Sequence, residues 1–481
     1  MNRMKVVSKM HIALLAVLAL SVFLVNTTLA GNDRVSPRIV GMGRTFTAVS
    51  RGLDAIGLNP ANLALSDRGN TLTFQFAPLG FAVGSDFLNY KVYNDFFTGV
   101  DGLDTNGNKI RVGKRLTEQD KQDILALFPG GIANTQANVD VTWFGLSFQK
   151  GRVGVALSVT ERVAANLDLP EGYLKMILNG FPIEGKSYSL DNTSVTASWM
   201  REYNLSGGYL LPYEFGIVKN ISVGMGLKYI QGFGYFGTRK YKGMIETTVT
   251  SDAPNQIQDM SIHTNLDYVQ LRSAIPFDSV SENIMKPAGK GMGFDFGASA
   301  QLLEGIRVAA SVTDIGKVTW DKNTKAIIGN SDLVLHQFGD TKNTDSLENA
   351  FKGKTVDTTS FTTNLPTALH LGGSVEVDKF FSKIPGHLTV AADLHVGFNN
   401  EPGNTKKAQI GLGIEWAPIA LIPIRTGFLF GGREKFGWSA GFGFHILNVV
   451  DIDLATASIA ILTSPNTFRT GSFTFGMRWR I

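Results

Sequence analysis

Seven histidines are the obvious candidates for catalysis or metal binding in this chain, and their spacing argues against both. His263, His336, His370, His387, His395 and His445 form no HExxH pattern and no ligand spacing. His387 and His395 lie eight apart on one extended run, about 26 Å by strand rise, too far to share a metal. Cysteine is absent, which removes thiolate sites, disulfides and a lipid anchor on cysteine. No GxSxG occurs, and Ser439 and His445 qualify as a nucleophile and base by proximity alone. Glycine clusters such as GMGLKYIQGFG do not sit on a strand-to-helix turn, so they are not phosphate cradles. The expectation is no enzyme, no cofactor and no metal.

What remains is charge placed at alternate positions. Arg425 is a candidate carboxylate binder, or else a partner of Glu415 on the preceding run, with Asp393 a third member of a buried charge network. At the end of the chain, GSFTFGMRWRI sets Phe473, Phe475, Met477, Trp479 and Ile481 against Ser472, Thr474, Gly476, Arg478 and Arg480. As a strand, it would be apolar on one face and carry two arginines on the other.

The same period of two recurs along the chain and defines the elements that would hold these charges. Strands are expected near 70–77, 139–149, 152–162, 192–206, 218–231, 292–302, 306–315, 367–378, 387–397, 407–417, 422–430, 436–446, 450–460 and 470–481. Segments of about ten residues match a tilted strand crossing a bilayer. Connections alternate in length. Long ones, at 78–138, 163–191, 232–291 and 316–366, are separated by short turns such as Glu304–Gly305. A transmembrane up-and-down antiparallel β-barrel has this rhythm, with short periplasmic turns and long outer loops. The count is about 14 strands. Two further β-like runs, 240–249 and 257–271, would make 16 if they cross the membrane and an outer hairpin if they do not. In the barrel reading, the alternate apolar residues from Phe473 to Ile481 face lipid, with Trp479 near the interface, while Arg478 and Arg480 face the lumen. In a soluble sandwich they would face a core and water.

Residues 1–30 read as a secretory signal: Arg3, Lys5 and Lys9, an apolar run from Ile12 to Val25, and Thr28-Leu29-Ala30 as the cleavage site. The run is shorter than the roughly 20 residues a spanning helix needs. A net charge of +4 without basic runs gives no reason to expect nucleic acid. Residues 31–69 lack strand periodicity and precede the barrel at 70–481. They form either a luminal hatch or a periplasmic extension. Leu53, Ile56, Leu58, Leu63 and Leu65 favour the hatch, since exposing them is unfavourable.

Two helices are expected in the long connections. One begins at Thr117 in LTEQDKQDILALFPGG, capped by Thr117 with Asp120 three residues on and stopped at Pro129-Gly130. The other lies in LPEGYLKMILNGFP, with Pro170 at its first turn and Gly180 at its end. Leu125, Phe128, Tyr173, Leu174 and Ile177 would give a greasy groove over the mouth, or else the two helices pack together as a lid.

GLDAIGLNPANLAL, with Asn59, Pro60 and Ala61, resembles the hatch motif of the FadL-type outer-membrane transporters. LPTALHLGGSVEV (365–377) and IRTGFLFGG (424–432) resemble late-strand patterns of the same superfamily, which includes PorV-like barrels. The resemblance implies a 14-stranded barrel with an N-terminal hatch in the bacterial outer membrane. It also implies uptake of hydrophobic small molecules such as long-chain fatty acids. The alternative is a PorV-like scaffold in protein secretion. The implied partners are a hydrophobic ligand, outer-membrane lipid and, in the scaffold case, other envelope proteins. Ile481 departs from the aromatic ending of many such barrels.

Overall fold

The computed structural model describes residues 36–481 apart from 97, 104–106, 183–184, 251–258, 275–285, 336–340, 434, 448 and 465–468. The signal expected at 1–30 lies outside the described residues.

Fourteen antiparallel strands close on themselves. In chain order they are Leu72–Phe76 with Leu79–Ser85, Ile132–Lys150, Val153–Pro170, Ser194–Leu210, Lys219–Thr250, Gly289–Leu303 and Ile306–Trp320, followed by Ala368–Glu376, His387–Gly397, Gln409–Ala417, Ile424–Gly431, Lys435–Ile446, Val450–Thr456 and Thr470–Arg480. The last strand closes on the first, Thr73 pairing with Arg480 and Leu79 with Phe475. Among the described residues no helix is long and apolar enough to cross a membrane; the strands make the crossing.

Each expected strand is present, and several run further than their alternation showed. The first does not end at 77. Ala77 adopts φ +50° and Pro78 lacks an N–H, so the ladder breaks there. It resumes at Leu79, against Val141 of the second strand. The first long connection is therefore 86–131. The runs near 240–249 and 257–271 are not extra crossings. The fifth strand continues past the barrel to Thr250 and pairs with Asp259–Ser273, which pairs in turn with Thr324–Leu335. This arm has its own core of Leu190, Ile245, Ile262, Leu266 and Tyr268.

Side-chain alternation separates the two faces of the wall. Phe473, Phe475, Phe442, Phe444 and Trp438 are exposed on the outside, while Ser472, Thr474, Arg478 and Arg480 are buried inside. An apolar band outside and a polar interior is the pattern of a barrel in lipid.

Candidate functional site: the filled lumen

The lumen toward the short-turn end is filled by the chain's own residues 36–66. The segment is irregular but ordered by its sequence. Asn59 caps a short 3-10 helix at Pro60–Ala64, its Oδ1 accepting from the Ala61 N–H at 3.2 Å, with Pro60 at the first position. Asn59 and Asn62 both donate to the Thr47 carbonyl, at 3.2 and 2.9 Å, which ties the helix back on the preceding turn. Leu53, Leu58, Leu63 and Ala61 are buried.

The wall makes room for this segment by omitting side chains. A Cβ on Gly224 would stand 2.4 Å from the Ala61 nitrogen, and one on Gly208 2.7 Å from the Pro60 oxygen. On Gly154 it would meet the Leu63 oxygen at 1.8 Å, and on Gly427 the Gly43 nitrogen at 2.4 Å. These glycines occupy inward positions of four strands, and only a bare backbone leaves space for the segment there.

Charge then fixes it. Arg478 of the last strand grips Asp54 with two bonds of 2.8 and 3.0 Å, and Arg38 reaches the same carboxylate at 3.0 Å. Arg38 also lies 3.6 Å from Glu415. Arg425 pairs with Glu415 at 2.5 Å and Asp453 at 2.7 Å. Arg480 bridges Asp451, at 2.6 Å, and Asp67. Removing one partner from such a buried pair is expensive, because the other charge is left in a poorly solvated site. The network therefore sets the register between segment and wall.

The ninth strand adds a backbone clamp. Asp393 accepts from the Phe46 and Thr47 N–H groups at 2.7 Å each. His395 Nε2 is 2.8 Å from the Arg44 carbonyl, which can only accept, so this nitrogen carries the proton. In the neutral pair His395 Nδ1 then accepts from His370 Nδ1, 2.7 Å away, and His370 Nε2 accepts from Thr313, at 3.1 Å.

Of the residues picked out from the sequence, Asn59, Pro60 and Ala61 lie in the luminal segment. Arg425 and Glu415 form one pair, while Asp393 belongs to the backbone clamp. The helices form at Glu118–Leu125 and Glu171–Asn179, with the Thr117–Asp120 capping box complete and Pro170 one position earlier than expected, as the cap. Phe128 packs on Phe87 with ring centroids 5.1 Å apart, and Tyr173 packs on the arm and bonds Tyr241 at 2.8 Å. Leu125 and Leu174 are half-buried, and Ile177 is 75% exposed. Ser439 donates to the Gly41 and Gly427 carbonyls, while His445 faces Asp453 at 3.4 Å.

Sequence reasoning missed Arg38, Asp54, Asp67 and Asp453. For the first three the signal was there: charges in a stretch otherwise read for its leucines. Asp295 and Lys228 were legible as inward positions, but not the buried group they form in the wall, where Lys228 contacts Asp295 at 2.8 Å and also Asp314, and Arg162 contacts Glu202 at 2.7 Å. Between this group and the segment lies a cavity of about 90 Å³ lined by Asp54, Gln75, Asp140, Thr160, Glu202 and Asn204.

An apolar-walled closed barrel with a polar lumen filled by its own N-terminal residues is a transmembrane β-barrel of the internally plugged kind. This chain belongs to the family of unknown function DUF5723, whose model matches residues 76–448. No curated protein sequence matches it. Similar solved structures include a Pseudomonas aeruginosa FadL homologue, 12% identical, with 94% of this chain and 99% of that one covered and a TM-score of 0.46. Another is the Ralstonia pickettii toluene transporter TbuX, at 12% identity, 93% and 98% coverage and a TM-score of 0.45. A third is the Pseudomonas putida toluene transporter TodX, at 8% identity, 94% and 98% coverage and a TM-score of 0.42.

Proposed function

We propose that the chain is a gated transport barrel of the bacterial outer membrane that takes up hydrophobic small molecules, long-chain fatty acids among them. Residues 1–30 direct export, the long loops face outward, and residues 31–69 act as the hatch. The observation that carries this reading is the way the hatch is held. It is held by ion pairs, a capped turn, a backbone clamp and small apolar contacts such as Leu63 on Ala156, against glycine-lined strands. Such a segment can shift as a unit while the strand ladder stays intact.

The test is binding and uptake by purified protein in liposomes, with oleate and toluene as probes. Saturable uptake of either, absent from empty liposomes, is expected. If neither binds nor crosses, the transport reading fails.

One observation favours a second reading. The arm built on the fifth strand has a hydrophobic core of its own and projects beyond the barrel, as a platform for an envelope protein would. A stable partner recovered from native membranes, and lost when 235–273 is deleted, would support a scaffold.

A further inference from the structure

The connection between the ninth and tenth strands, residues 398–408, does not behave as a surface loop. Loops run over the surface because their backbone groups need water. Here the apex, Glu401 to Thr405, is buried, while Phe398, Asn400 and Lys406 on its stems are exposed or half-exposed. The apex reaches the opposite wall. Asn166, near the long-loop end of the third strand, donates its side-chain amide to the Glu401 and Asn404 carbonyls, at 3.2 and 3.1 Å. Tyr235 and Arg239, on the fifth strand, approach the Glu401 carboxylate at 3.1 and 3.6 Å. Lys407 reaches Asn134 on the second strand at 3.3 Å.

The loop is also shaped for this position. Asn404 donates to the Asn399 side chain at 2.9 Å and to the Thr367 carbonyl at 3.0 Å, which folds the loop inward over the start of the neighbouring eighth strand. Gly403 adopts φ +78° and sits so close to the third strand that a Cβ on it would stand 3.2 Å from that of Ala164. Apart from the approach of Gly403 to Ala164, the contacts across the lumen named above are polar, and each could be exchanged for water.

We propose that residues 398–408 form a lid over the long-loop mouth of the lumen, latched by Asn166, so that the space above the N-terminal segment is closed at both ends. The lid opens by releasing the Asn166 amide and the Glu401 carboxylate.

The chain has no cysteine, so the lid can be locked and probed cleanly. In purified full-length protein, Ala164→Cys with Gly403→Cys places a reducible bridge between apex and wall. Thr160→Cys puts a reporter thiol in the cavity beneath. Its reaction with N-ethylmaleimide is read by mass spectrometry of its peptide. The N-terminal segment is unchanged throughout, and no transported molecule enters the assay, so the result is independent of the uptake reading. Labelling of position 160 should be about tenfold slower with the bridge closed than after reduction of the same sample, a difference of about 1.4 kcal/mol in access. Without the bridge, Asn166→Ala should speed it. Equal rates with the bridge open and closed, or no labelling in either state, would overturn the lid. An unchanged rate in Asn166→Ala would remove Asn166 as its latch.

Discussion

Arg478 and Asp54 stand 424 positions apart in sequence and meet in a two-pronged ion pair inside the barrel, at 2.8 and 3.0 Å. The last strand thus recognises the segment that precedes the first. Arg38 closes a second side of the same carboxylate at 3.0 Å, so one acidic group satisfies two buried cations.

Replacing Asp54 with alanine should leave Arg478 buried without its two-pronged partner and Arg38 with Glu415 alone, at a cost of about 3–5 kcal/mol. Thermal unfolding of the purified barrel should show the loss, and ion conductance across planar bilayers should rise as the segment loosens. Unchanged stability together with unchanged conductance would contradict the assigned role.

Gly224→Val should separate the barrel from its filling. Valine suits a strand, but its Cβ would stand 2.4 Å from the Ala61 nitrogen. The expected outcome is a closed barrel from which residues 36–66 are displaced and cleaved by protease, with the strands resistant. Wild-type protection of that segment would refute the close fit.

The two faces of the last strand should respond unequally to substitution. Phe475→Arg, near the middle of the lipid-facing side, should cost about 2–4 kcal/mol of membrane stability. Thr474→Ala removes a luminal hydrogen bond to the Ala455 carbonyl and should cost about 1 kcal/mol. Refolding into vesicles at graded urea would measure both; equal effects would argue against lipid on the Phe475 side.

The arm should be weakly pH-dependent through His263. Its imidazole is bracketed by Asp332 and by Glu246, the latter at 3.1 Å, and their hydrogen bonds hold its pKa above the ordinary histidine value. The stabilisation is therefore fully present below about pH 6.5 and is lost as pH rises through the elevated folded value. The site is partly exposed, so the effect should stay below about 1 kcal/mol. Hydrogen exchange across 235–273 should quicken as pH rises, after correction for intrinsic rates. His263→Gln should remove that trend; a trend that survives the substitution would assign it elsewhere.

The sequence by itself determined the strands and the sidedness of the wall. Alternation is a local property, and a strand with lipid on one face and an enclosed space on the other must repeat every two residues. Loop lengths likewise separated the two ends of the barrel. Glycine was more ambiguous: Gly154, Gly224 and Gly427 read only as small positions in strands and Gly208 lay past the expected end of its strand at 206, yet each makes room for a particular atom of the N-terminal segment. The extension of the fifth strand into the arm was also hidden, because its residues keep the same period whether they cross a membrane or pair beyond it. Tertiary structure alone decided which charges meet. Arg425 and Glu415 were legible as neighbours because they sit on adjacent strands, whereas Arg478 with Asp54 and Asn166 with the 401–404 turn are joined only by barrel closure and inward folding. Such partners are chosen by where a closed sheet brings distant segments together, and no periodicity in the chain encodes that distance.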